Sequence, residues 1–155
     1  PVLVCTDSIC VNDKEEIISQ SFFELQKFCD IAGNEVKMAA LNIVQGNTCM
    51  LNKYCKKYIK FIPNELVYDQ WIAIIIAHYG HVTYLHESTL YYRQHGDNAV
   101  GANIINVQYF FNKFLHIYRQ YQIYYTLFRE LPFHLCFTKW LFYKVYYSFK
   151  RLLCK

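Results

Sequence analysis

Asp69 opens the apolar run Trp71-Ile72-Ala73-Ile74-Ile75-Ile76-Ala77; Gly80 closes it, and the chain then reaches Arg93-Gln94-His95-Gly96. A carboxylate at a helix start lies near unpaired backbone N–H groups, so a first-turn or N-cap role accounts for it locally. Facing a polar cluster that leaves a strand in a loop, the same carboxylate is suited to take a proton from a hydroxyl. Gly46-Asn47-Thr48 forms a second candidate loop, where the missing side chain permits a positive φ or the close approach of a ligand to backbone. Its composition is also that of an ordinary turn.

Other reactive residues are placed less suggestively. His78, His81, His86 and His95 fall close together but match no zinc spacing, and HExxH is absent. Any one of them could still be a ligand, although His78 and His81 also suit the negative end of the preceding helix. Asp7 and Asp13 flank Ile9-Cys10-Val11, a separation that favours turn or cap roles over a metal pair. Neither a Gly-Lys-Ser/Thr phosphate loop nor a dinucleotide fingerprint is present. The 7 cysteines are odd in number and include no CxxC pair, which points to free thiols in a reducing compartment rather than a disulfide framework.

The elements that must position these residues follow from periodicity. Ile72, Ile75, Ile76 and Tyr79 recur at three and four residues, while Ala73, Ile74 and Ala77 fill the remaining face. A helix over 68–79, covered on more than one side, is the expectation. Helices over 103–129 and 133–152 are expected to be separated by Pro132, whose ring and missing N–H oppose continuation. Short strands are expected near 2–5, 48–51, 82–85 and 89–93, the last two divided by Glu87-Ser88. Ser21 to Cys29, Glu35 to Asn42 and Asn52 to Ile59 read as short helices, the third bearing Lys53, Lys56 and Lys57.

Charge divides the 155 residues unevenly. Through Ala102 the acids outnumber Lys and Arg, giving −3; beyond it Glu130 is the single acid and the balance is +7, so the overall +4 belongs to the C-terminal segment. Its bases alternate with Tyr, Phe, Trp and Leu, a pattern closer to a membrane-surface element than to a nucleic-acid stripe. A helical pair packed on the rest of the domain is the competing reading, because aromatic helices also build cores. No apolar run is long enough to span a bilayer. Pro1-Val2-Leu3-Val4 carries no basic region of the signal-peptide kind, and its abrupt strand-like start reads as part of a longer protein.

Three segments in register carry a resemblance. Pro1-Val2-Leu3-Val4-Cys5-Thr6-Asp7, then Gly46-Asn47-Thr48, then Tyr68-Asp69-Gln70-Trp71, Gly80 and Tyr91-Tyr92-Arg93-Gln94-His95-Gly96-x-Asn98 are similar to the C-terminal half of the catalytic domain in bacterial family 2 glycosyltransferases. The likeness is to the rhamnosyltransferase kind that builds cell-surface polysaccharide. It covers residues 1–102 and leaves 103–155 as an amphipathic aromatic and basic tail. The implied fold is α/β, a partial GT-A three-layer sandwich without its N-terminal half. The implied activity is inverting transfer of a sugar, rhamnose being one candidate, from a nucleotide-diphosphate donor to a growing surface glycan.

The resemblance implies Asp69 as the base, His95 as a ligand to Mg²⁺ or Mn²⁺, and Gly46, Asn47 and Thr48 beside donor and acceptor. Arg93 and Gln94 would support the diphosphate or brace the loop, and Trp71 would either offer a sugar its flat face or fill the core. The partners implied are the nucleotide-sugar, a glycan or polyisoprenoid-linked acceptor and the inner face of the plasma membrane, with no nucleic acid. The Asp-x-Asp metal motif of the family would precede Pro1, and Asp7-Ser8-Ile9 does not replace it. An inert fragment with a structural or regulatory role is the alternative function.

Overall fold

In the computed structural model the described residues are 1–94, 111 and 115–153. They form an α/β arrangement in which one long strand, β1 (Val2–Val11), is paired along its length. β4 (His81–Arg93) runs parallel to it, from Val2 opposite His81 to Val11 opposite Arg93. On the other edge β3 (Cys49–Leu51) is antiparallel to Leu3–Cys5, and β2 (Ile17–Ser19) is antiparallel to the end of β1 at Cys10 and Val11. The sheet is therefore mixed, with β1 as its axis. The helices are α1 (Phe22–Leu25), α2 (Glu35–Ala40), α3 (Tyr68–Tyr79), α4 (Ile117–Glu130) and α5 (Phe137–Leu153).

α3 forms over the expected residues because its apolar side chains are buried nearly all round; Ile74, Ile75 and Ile76 are fully enclosed. Gly80 ends it in an extended conformation and passes directly into β4. The approach there is close: a Cβ on Gly80 would lie 2.0 Å from the Pro1 carbonyl oxygen, the acceptor of the His81 N–H at 3.0 Å. Gly80→Ala is expected to cost about 1–3 kcal/mol, because backbone must move at the start of the β1–β4 pairing. The midpoint of urea unfolding measures it.

Two strand boundaries differ from the sequence reading. β1 does not end at Thr6-Asp7 but continues to Val11, with Asp7 only 6% exposed. The carboxylate is tolerated inside the sheet because it accepts the Ser8 N–H at 2.8 Å, the Phe23 N–H at 3.1 Å and the Ser21 hydroxyl. Asp7 thus ties β1 to the start of α1, which Ser21 caps. Burial beside Asp7 also pushes the Tyr84 hydroxyl well above its ordinary range. The expected break at Glu87-Ser88 is instead a bulge within β4, since Thr6 faces Leu85, Asp7 faces Ser88 and Ser8 faces Leu90. The unpaired extra residues shift the register without ending the strand.

The C-terminal segment is not an appendage. Pro132 separates α4 from α5 as expected, though α5 starts later, at Phe137; most of the predicted 103–129 helix upstream of α4 lies outside the described residues. Leu127, Leu131, Leu135, Trp140 and Tyr147 belong to the same buried cluster as Leu3, Ile74 and Val82. The buried carbonyls that end α2 explain the attachment. Ala39 accepts the Trp140 indole N–H at 3.3 Å and the Gln70 amide at 3.2 Å, and Ala40 accepts the Lys144 ammonium at 2.8 Å. A helix end leaves its last carbonyls without intrahelical donors, and here α3 and α5 supply them.

Candidate functional site

The site is assembled where α2 ends and α3 begins. After α2, Asn42 turns the chain: its Oδ1 accepts the Val44 N–H at 3.1 Å, so its amide nitrogen faces away, toward Asp69. That nitrogen donates to Asp69 Oδ1 at 2.9 Å. The second carboxylate oxygen, Oδ2, accepts the Gly46 N–H at 3.2 Å. Asp69 occupies the first turn of α3 and is half-buried. Burial pushes its pKa above the ordinary carboxylate value, while the hydrogen bonds from Asn42, Gln70 and Gly46 partly offset that effect. The result is a fixed carboxylate of increased basicity, with one side toward solvent.

Tyr68 completes the cluster. A Cβ on Gly46 would fall 1.9 Å from the Tyr68 hydroxyl oxygen, so the space that glycine leaves is filled by that phenol. Tyr68 is 53% exposed and can swing aside without disturbing the core. Gly46–Thr48 is a short 3-10 turn in which Thr48 is buried and donates its hydroxyl to the Gln45 carbonyl at 3.0 Å. Thr48 therefore closes the loop, whereas Asn47 is exposed on it. The Gln45 side chain accepts the Ser8 hydroxyl at 2.9 Å, fastening the loop to β1. Cys49, next along, has its thiol pushed up to about 12, first by burial and then by the Asp69 charge, so it stays protonated and is no thiolate nucleophile near neutral pH.

The location follows from topology. α3 delivers its last residue to the start of β4, opposite Val2, so its first turn points toward the carboxyl ends of β1 and β4. Open α/β sheets place ligand sites on that side.

The structure brings together Asp69 and Gly46 among the residues expected from sequence. Of the two roles open to Trp71 the structure shows the core one: it is 3% exposed and its indole N–H donates to the Phe61 carbonyl at 2.8 Å. Arg93 reaches Glu15 at 2.9 Å, an exposed pair, and the Gln94 N–H extends the β1–β4 pairing to the Val11 carbonyl at 2.7 Å. Both residues stand at the end of β4. His95 lies outside the described residues.

The remaining histidines have separate engagements. His78 stacks on Phe133 with ring centroids 3.6 Å apart, the His81 backbone donates to Pro1, and His86 faces Asp30 at 3.7 Å. Among the described residues no group of three or more His, Cys, Asp or Glu is gathered to hold a cation. The resemblance gives Asp69 the role of base, and each of its oxygens is held by one N–H donor; the ligand it implies for Mg²⁺ or Mn²⁺ is His95.

Asn42 and Tyr68 escaped the sequence reading. A polar residue just past a helix looks like a cap, and a tyrosine before an aspartate looks like surface; the one available signal was the adjacency of Tyr68 to the candidate base. No protein-family model, curated protein or solved structure matches the chain.

Proposed function

We propose that this chain carries the acceptor-activating side of an inverting glycosyltransferase of the family 2, rhamnosyltransferase-like kind, built on a GT-A fold. The observation that carries the reading is the Asp69 carboxylate, held by Asn42 and Gly46 and made more basic by partial burial. Its support beyond geometry is the ordered likeness of the segments around Thr6-Asp7, Gly46-Asn47-Thr48, Asp69-Gln70-Trp71 and Tyr92-Arg93-Gln94.

In the proposed step an acceptor hydroxyl, lying against the Tyr68 phenol, hydrogen-bonds to Asp69. Asp69 takes its proton as the acceptor oxygen bonds to the anomeric carbon from the face opposite the leaving group. The bond from that carbon to phosphate oxygen breaks, and its electron pair leaves with the nucleoside diphosphate. Asn42 and the Gly46 N–H keep the carboxylate aimed while it is anionic, which fixes the geometry before reaction.

The test is a transfer assay of the complete protein with nucleoside-diphosphate sugars and hydroxyl acceptors, run as a pH profile. A base works deprotonated, so activity should fall as pH drops through the Asp69 pKa, with its inflection above the ordinary carboxylate range. Asn42→Ala removes a hydrogen bond that favours the anion and should move that acid limb to higher pH. Absence of transfer with every donor, or an acid limb that Asn42→Ala leaves in place, removes the proposal.

A further inference from the structure

The two faces of α5 are unlike, and among the described residues only one is packed against the fold. Trp140, Tyr147 and Arg151 are buried, and Lys144 is turned inward beside them. Arg151 donates to the Gln26 carbonyl at 2.9 Å, as Trp140 and Lys144 donate to Ala39 and Ala40. The opposite face presents Leu141, Phe142, Val145, Tyr146, Phe149 and Leu153 to solvent, with Phe142 63%, Phe149 60% and Leu153 75% exposed. They recur at three- and four-residue intervals and so form one continuous stripe along the helix. An apolar stripe of this length is not ordinary surface.

The charges beside the stripe indicate its occupant. Phe137–Leu153 contains no acidic residue, and Lys139 and Lys150 are exposed along it. An anionic lipid surface accepts both the stripe and the lysines that flank it on a helix with no acidic residue.

We infer that α5 is a membrane-docking helix that lies in the plane of an anionic leaflet with the Phe142–Phe149 stripe immersed. No described helix is long and apolar enough to cross a membrane. Lying flat also preserves the bonds from Trp140, Lys144 and Arg151, which crossing would break. The inference does not depend on sugar transfer: it would hold for an inert protein of this fold.

Sedimentation of the full 155-residue chain with vesicles tests it. The chain should pellet with vesicles of equal parts phosphatidylcholine and phosphatidylglycerol, less with phosphatidylcholine alone, and less again at high salt. Phe142→Glu with Phe149→Glu should reduce partitioning by about tenfold or more. Its thermal melt should stay unchanged, because both side chains are exposed. Lys139→Glu should weaken binding to the anionic vesicles while leaving the residual binding to phosphatidylcholine as it was. Failure of the wild-type chain to pellet, equal partitioning of the double variant, or equal binding to both vesicle types overturns the inference. So does a stable dimer that the double substitution dissociates while neither form binds lipid.

Discussion

Asp69→Asn should lower sugar transfer by about 10²–10⁴-fold, the usual contribution of a positioned general base, while leaving donor affinity nearly unchanged. The separation is expected because Asp69 faces the acceptor hydroxyl in the proposed step and the substitution keeps its size. Folding should survive. An asparagine oxygen can still accept from Asn42 or Gly46, although the other donor then meets an amide N–H and loses its partner. Removing a partly desolvated charge acts in the opposite direction. A carboxyl whose folded pKa is raised favours the fold below its unfolded pKa, and that contribution is lost as pH rises through the folded pKa. The neutral side chain should therefore lose less stability at neutral pH than a broken hydrogen bond alone implies. Single-turnover transfer, calorimetric titration of the donor and a thermal melt, all on the complete protein, separate these effects. Wild-type turnover by a folded variant would remove Asp69 as the base; loss of donor binding together with turnover would make it a binding residue instead.

What the sequence revealed and what it hid divide along the range of the interactions concerned. α3 was legible to the residue because its cause is local: a three- and four-residue apolar repeat, an acidic first turn and a glycine stop. Pro132 is equally local in effect. β1 was read too short because Thr6 and Asp7 look like a strand's end, and the groups that make Asp7 acceptable inside the sheet, the Ser21 hydroxyl and the Phe23 N–H, come from the start of α1. Glu87-Ser88 looked like a gap because pairing register cannot be seen in one strand alone. In the site, Asp69 and Gly46 stood out by type and position. Asn42 did not, since its direction depends on a turn that only the folded chain forms. Trp71 could be read either as a sugar platform or as core; two residues from Asp69 along a helix is nearly the opposite face, and that face is inside.

The C-terminal segment was the least legible, because Lys144 and Arg151 suggest a wetted surface while their acceptors are backbone and Gln26 groups far back in the chain. This attachment makes a strong prediction for Trp140. Its ring lies 4.8 Å from Tyr124, 5.2 Å from Phe128 and 5.5 Å from Phe137, centroid to centroid, and is 5% exposed. Trp140→Ala should therefore cost about 3–5 kcal/mol, counting both lost burial and the cavity left behind. That is a large part of the roughly 5–15 kcal/mol by which a domain is stable. Trp140→Phe keeps an aromatic ring but not the N–H bonded to Ala39, so the hydrogen bond itself should contribute only about 1 kcal/mol of its loss. The effect should reach the site, because Ala39 and Ala40 lead within two residues to Asn42, whose amide aims Asp69. Urea unfolding midpoints with unchanged slope give the stability terms, and the pH profile of transfer by folded Trp140→Phe reports the coupling. If Trp140→Ala unfolds within about 1 kcal/mol of the wild type, α5 is held far more weakly than a side chain buried to this degree allows.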